Sequence, residues 1–253
     1  MDRMIYTALN AISVLRDAQV TQAQNLANQS VPGYRRDLDN EGGTVFARLF
    51  GAETARAFRQ ETGPAGFSQK SGRLVPTGQK MDIAIADAGY FMVQPETGAP
   101  ALSRRGDLRA DAEGTLRNGA GDALLDVNGD PIALPAHRDL VINELGQIHV
   151  TPADGPPGAR VLAATLATVV PGEEVTLRKS EDGRIRVPDG ELPPPDQMAR
   201  VRQGVLESSN VNAVEEMIGQ IELQRQFELG LKLVTSAKQI DETGARLLRM
   251  PGT

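Results

Sequence analysis

Helical periodicity in this chain is confined to its two ends. Within Met4–Leu26, Ile5, Leu9, Ile12 and Leu15, then Ala23 and Leu26, recur at spacings of three, four and seven. That is a narrow apolar stripe on a helix of period 3.6. Within Val211–Leu248, Phe227, Leu231 and Val234 begin a second stripe that continues through Ala237, Ile240, Ala245 and Leu248, and upstream Val214, Met217 and Ile221 start it on an adjacent face. Neither stripe is broad enough to seal a core by itself. The two helices either face one another as a coiled-coil-like seam or pack as ordinary core helices of a monomer. The second helix has its start and stop written in sequence. Ser209 or Asn210 is placed to cap it, Glu215 and Glu216 suit the positive end of its dipole, and Pro251-Gly252 stops it.

Between the ends, the pattern changes to short apolar runs broken by Gly with Asp, Asn or Glu. Asp111-Ala112-Glu113-Gly114, Val127-Asn128-Gly129-Asp130, Asn143-Glu144-Leu145-Gly146 and Glu181-Asp182-Gly183 each precede an apolar residue. Gly accepts positive φ at little cost, so these are hairpin turns of an antiparallel sheet. Thr44–Phe50 reads as a short strand or helix, Asp82–Ala86 and Tyr90–Val93 as strands, and Val161–Val170 as one longer strand. Glu191-Leu192-Pro193-Pro194-Pro195 forms a stiff joint just before the chain returns to helix. The fold class is therefore α+β: discontinuous N- and C-terminal helices pairing as a coiled-coil-like domain, with a mainly antiparallel β centre. The expected division is 1–34 for the first helix and turn, 35–80 for a loop-rich connector, 81–203 for the β domain and 204–253 for the second helix. The 35–80 and 150–203 parts are candidates for a connecting subdomain.

Composition excludes several function classes. Aromatics make up 4% of the 253 residues and Trp is absent, which disfavours aromatic-lined pockets and base-stacking platforms. A net charge of −6 without a Lys/Arg run argues against nucleic acid as a partner. With no Cys there is no thiolate nucleophile, disulfide or Cys-based metal site. The opening residues lack an unbroken apolar core for a cleaved signal, and no stretch is long enough for stable membrane insertion.

The motifs with catalytic overtones are weak. Gly63–Ser71 looks like a phosphate loop, but the Gly before Lys70 is missing, and an exposed flexible loop is the expectation. Asp126–Asp130 starts like a calcium loop, yet its Gly stands fourth and His137 occupies the place of the closing Glu, so it reads as a tight Asn-Gly turn. His137 and His149 have no companion ligand pattern, and no G-x-S-x-G elbow is present. No catalytic residue, cofactor or metal site is expected, and the chain reads as a non-enzyme.

Two long motifs at opposite ends give a sharper indication. Asn25-Leu26-Ala27-Asn28-Gln29-Ser30-Val31-Pro32-Gly33-Tyr34-Arg35 near the front resembles a pattern of the bacterial flagellar rod and hook family. Gly204-Val205-Leu206-Glu207-Ser208-Ser209-Asn210-Val211-Asn212 near the back does so too, as do Glu216-Met217-Ile218, Ile221, Gln224-Arg225-Gln226-Phe227-Glu228 and Lys232. Gly89–Val93 with Ser103–Leu108, Asp111 and Gly114–Leu116 is similar to that family's β domain, and Met1-Asp2-Arg3 with Ile5–Ala8 is most like its proximal rod member. Val31 stands where the family often has Thr.

The resemblance implies a structural axial subunit of the basal-body rod that helps transmit torque. Its partners would be other rod proteins, copies of itself and the flagellar type III export apparatus. It would be exported without a cleaved signal to the periplasmic rod. The terminal helices would order on assembly, with Ile5, Leu9, Ile12, Leu15, Asn25, Leu26 and Asn28 on the first. Gly33 and Tyr34 would shape its turn, and Gly33 would permit positive φ. Leu206, Glu207, Asn210, Val211, Glu216, Met217, Ile218, Ile221, Gln224, Arg225, Phe227, Glu228, Leu231 and Val234 would serve the interface from the second.

Overall fold

The computed structural model describes residues 2–38, 42–47, 56–61, 66–156, 158–172, 174–180, 182–188 and 191–248. The side chains of 2–7, 42–47, 56–61, 241, 245 and 247–248 lie outside that description. The chain divides into two compact units. One contains residues 1–27, 37–66 and 212–253; the other contains 28–36 and 67–211. The molecule is α+β, as the periodicity predicts, and every paired strand is antiparallel.

In the first unit, α1 (Asp2–Ala27) and α2 (Ala213–Leu248) run side by side, with a hairpin of Gly42–Ala47 and Arg56–Glu61 beside α1. Gly219 of α2 faces Gln22 of α1, and Gly230 faces Ile12, so the helices are antiparallel. Residues 44–47 of the Thr44–Phe50 segment are therefore strand. The expected stop at Pro251-Gly252 lies outside the described residues. The cap of α2 differs from expectation. Asn212, not Ser209 or Asn210, accepts a hydrogen bond from the Val214 N–H through its side chain (3.1 Å), and its backbone carbonyl accepts the first helical bond from Glu216. Ser209 instead accepts the Val211 N–H one turn too early to cap the helix.

The second unit is built on one large sheet ordered Arg178–Lys179, Ile185–Arg186, Ala101–Ser103, Tyr90–Gln94, Ala123–Leu124, Leu116–Asn118, Leu108–Ala110, with Thr168–Val169 also on Tyr90–Gln94. A three-stranded sheet of His137–Ile142, Gln147–Pro152 and Val161–Thr165 stands with it. Their apolar faces meet in a core where Ile83, Phe91, Val93, Leu116, Leu124 and Ile148 are at most 1% exposed where not fully buried. Burial of such side chains contributes roughly 1.5–3 kcal/mol each.

The expected turns are made by their side chains. Asp111 accepts the Glu113 and Thr115 N–H groups, Asp126 those of Asn128 and Asp130, Asn143 those of Leu145 and Gln147, and Asp182 that of Arg184. The glycine of each turn has positive φ. A fifth turn of the same chemistry, Asn118 to Asp122 with Gly121, escaped the sequence reading.

Two readings need correction. Val161–Val170 is not one strand: it breaks at Leu166, whose N–H goes to the Gly146 carbonyl, and its halves join different sheets. The proline joint does not lead straight to helix either. Val201–Gln203 pairs with Ile83–Ile85, and Val205–Glu207 pairs with Leu74–Pro76, before the chain reaches α2.

Candidate assembly interface

Glu207 is the most confined charge among the described residues of the β unit. It closes the strand Val205–Glu207 and is 1% exposed. Its Oε1 meets Arg35 Nη2 at 3.0 Å and accepts the Gly72 N–H at 2.7 Å, while its Oε2 accepts Arg104 Nε at 2.7 Å. Arg104 spends its remaining reach on the carbonyls of Ile85, Asp87 and Gly89 and lies 5.9 Å from the centre of the Tyr90 ring. Arg35 also donates to the Lys70 carbonyl. Burial pulls the Arg35 guanidinium below its ordinary pKa and Glu207 pushes it back, while burial pushes the Tyr90 hydroxyl up. Three distant segments of chain are thus joined by one carboxylate.

The turn after α1 fits this knot. Gly33 has φ +67°, as its position in the motif predicts, and a Cβ there would run into the Arg104 carbonyl. Its N–H donates to the Glu207 carbonyl (2.8 Å). Tyr34 lies under Lys179, whose Nζ is 3.8 Å from the ring centre and donates to the Arg35 carbonyl. The Tyr34 carbonyl accepts the Asn210 N–H. Asn210 is a clamp and not a cap. Its Oδ1 accepts the Arg36 N–H (2.6 Å), and its Nδ2 donates to the carbonyls of Ser68 and Lys70. This corrects the flexible part of the expectation for Gly63–Ser71, while Gly66, Gln69, Lys70 and Ser71 are exposed as expected. Gly63–Ala65 lie outside the described residues, but Phe67 is buried and the backbone of 68–70 is held by Asn210 and Arg35. Leu206 and Val211 are half-buried beside these contacts in sequence.

In the helical unit, Asn25 is fully buried and its amide bonds both the N–H and the carbonyl of Asp37 (2.8 and 2.9 Å). Asn28 is half-buried and ends the helix with its carbonyl on the Val31 N–H. Along α2 the shielded positions among the described side chains are Ala213, Glu216, Gly219, Gln220, Leu223, Phe227, Gly230, Val234, Ala237 and Gly244, most of which step by three and four. On α1, Ala8, Ile12, Leu15, Gln19, Gln22 and Leu26 step by four and three, with Asn10, Ser13, Val14, Ala18, Thr21 and Asn25 also shielded.

The apolar stripe read from sequence as facing α1 is therefore only partly on that side. Phe227 and Val234 are shielded, whereas Met217, Ile218, Ile221 and Leu231 are between 46% and 65% exposed. Leu9 is 48% exposed, Gln224, Arg225 and Glu228 are exposed, and the Ile5 side chain lies outside the described residues. The discrepancy has a simple origin. The close-packed positions are Gly and Ala, with Gly230 placing its Cα hydrogens where a Cβ would be 3.0 Å from Ile12. A hydrophobicity pattern does not register such residues, although two glycines inside a helix cost roughly 1 kcal/mol each and so call for a packing reason.

Arg35, Arg104, Gly72, Asn212, Gly219 and Gly230 were not among the predicted site residues. The two histidines sit on adjacent strands of the smaller sheet, and His137 Nδ1 lies 2.8 Å from the Pro135 carbonyl.

Two stretches that contribute to this geometry match known protein families. The family model described as flagellar basal body rod FlgEFG protein C-terminal matches residues 202–247, covering the strand of Glu207 and nearly all of α2. That described as flagellar hook protein FlgE/F/G D1 domain matches 84–150 in the β unit. The flagellar basal-body rod protein FlgF of Salmonella typhimurium is 30% identical over 99% of this chain and all of its own length. The chain belongs to the flagellar basal-body rod family. The FlgF protein of Escherichia coli is 31% identical over 97% of both chains, and the rod protein FlgG of Bacillus subtilis 24% identical over 95% of this one. Rod-family membership makes the chain a structural component of the flagellar basal body and not an enzyme.

Proposed function

We propose that this chain is a proximal-rod subunit whose paired terminal helices assemble with other rod proteins and with copies of itself, helping to transmit torque. The carrying observation is the outer surface of α2. Val214, Met217, Ile218, Ile221, Leu229, Leu231, Leu233 and Ile240 are 46–65% exposed along one helix. Large apolar side chains left in water at that density mark a surface that becomes buried against partners. The three-four spacing on both helices supports a coiled-coil-like pairing between them. That pairing is weak in the free subunit, because its seam includes Glu216, Gln22 and Gln220, and Gln22 Oε1, Gln220 Oε1 and Asn10 Nδ2 are buried without a hydrogen-bond partner among the described residues. Each such atom costs about 1–3 kcal/mol. Ordering on assembly follows, as does unfolded passage through a type III export channel to the periplasmic rod. FlgF proteins are 25–31% identical to this chain and FlgG proteins 24–26%, and the 30–31% of the Salmonella typhimurium and Escherichia coli FlgF proteins favours the proximal position.

Limited proteolysis of the dilute free subunit tests the coupling. The helices are cut first and a fragment close to residues 28–211 survives, since Gly33–Arg35, Glu207 and Asn210 belong to the β unit. Helices that outlast the β unit contradict the proposal.

A further inference from the structure

A cavity of about 260 Å³ in the β unit lies against the ionic knot, with Arg35, Arg104, Tyr90, Gln69 and Ser71 as its polar wall. The described lining residues include no carboxylate. Two guanidinium groups share the single carboxylate of Glu207, which leaves one positive charge in excess. The three carbonyls around Arg104 provide for that side chain. Arg35 is less well supplied: it is 4% exposed, and its Nε–H, shielded from solvent, has no acceptor among the described residues. A buried cation with an idle donor carries a free-energy cost that a planar oxyanion removes, through paired charge-assisted hydrogen bonds. The Tyr90 hydroxyl is a further hydrogen-bonding group on the same wall.

We propose that this cavity is a carboxylate-binding site, in which the bound carboxylate balances Arg35. The same chemistry arrives either as a small free carboxylate or as the acidic side chain of a neighbouring subunit. The site stands on the cavity and its charge, not on the rod reading, so its failure leaves that reading intact.

The probe is sodium succinate, compared with sodium chloride at matched ionic strength, acting on the thermal midpoint of the full-length chain. Succinate raises the midpoint by about 3 °C at saturating concentration. In Gln69→Glu and Ser71→Asp, which place a carboxylate on the wall itself, the response to succinate disappears while both proteins remain folded by circular dichroism. Equal midpoints in the two salts, or a response undiminished in both variants, overturns the site. The source is then read from swimming in soft agar. Loss of motility with folded Gln69→Glu subunit identifies a neighbour's side chain, and full motility identifies a free anion.

Discussion

Glu207 has no route to water, so its charge depends entirely on Arg35, Arg104 and the Gly72 N–H. Replacing it by Gln keeps the shape but leaves two buried guanidinium groups facing a neutral amide. Glu207→Gln is expected to destabilise the β unit by about 3–5 kcal/mol, read from denaturant unfolding. A loss under about 1 kcal/mol, as for an exposed pair, contradicts the role given to the knot. Gly33 is bound to the same place by two constraints, its positive φ and the Arg104 carbonyl against it. Gly129 shares only the first, with open space around it. Gly129→Ala is expected to cost about 1 kcal/mol. Gly33→Ala should cost at least about 2 kcal/mol more, because backbone has to move. Equal losses would mean the approach to Arg104 is soft.

At the level of elements, what the sequence displays and what the fold uses diverge in an instructive way. Turns were legible because one side chain and one glycine make each of them, all within a few residues. Asp111, Asp126, Asn143 and Asp182 behave as local chemistry predicts. The glycine part of the helix seam was not legible, since Gly219 and Gly230 carry it by being small, although Ile12, Leu15, Leu26, Phe227, Val234 and Ala237 of the apolar stripes are shielded. Nor was the capping of α2, because Ser209, Asn210 and Asn212 are all competent caps, and only the long-range bonds of Asn210 exclude it. Asn212→Ala therefore should lower helix content and cost about 1 kcal/mol, whereas Asn210→Ala leaves helicity intact and frees the 68–70 backbone to proteolysis.

The turns also predict acid sensitivity. Arg117 holds Asp111 below its ordinary pKa, Lys80 does so for Asp139 and Arg186 for Asp182. Asp126 is held down by the N–H groups of Asp130 and Asn128 against the opposing effect of burial. Carboxylates depressed on folding stabilise above their unfolded pKa, and that stability is lost as the pH falls from about 4 through the lower folded values. The melting temperature of the β unit should be flat from neutral pH to about pH 5 and fall below about pH 4. A midpoint that rises on acidification would contradict the pairing of these turns.

For the whole molecule, a β unit of ordinary stability is joined in sequence to a helical pair that leaves its largest apolar side chains in water. On the proposed reading, such a chain is a polymer component that stays unfinished as a monomer. Ile218 and Ile221, 60% and 65% exposed, lie on the outer surface of α2, away from its shielded positions. Charged replacements there spare the free subunit and harm only what packs on that surface. The deciding measurement is electron microscopy of basal bodies from a strain in which this gene is replaced by one encoding Ile218→Lys and Ile221→Lys, beside a Glu222→Lys control. Truncated rods without hook or filament, from a subunit whose thermal midpoint is unchanged, are the predicted result. Complete basal bodies in the double variant would show that the outer face of α2 stays in water, and would contradict its assignment as the assembly surface.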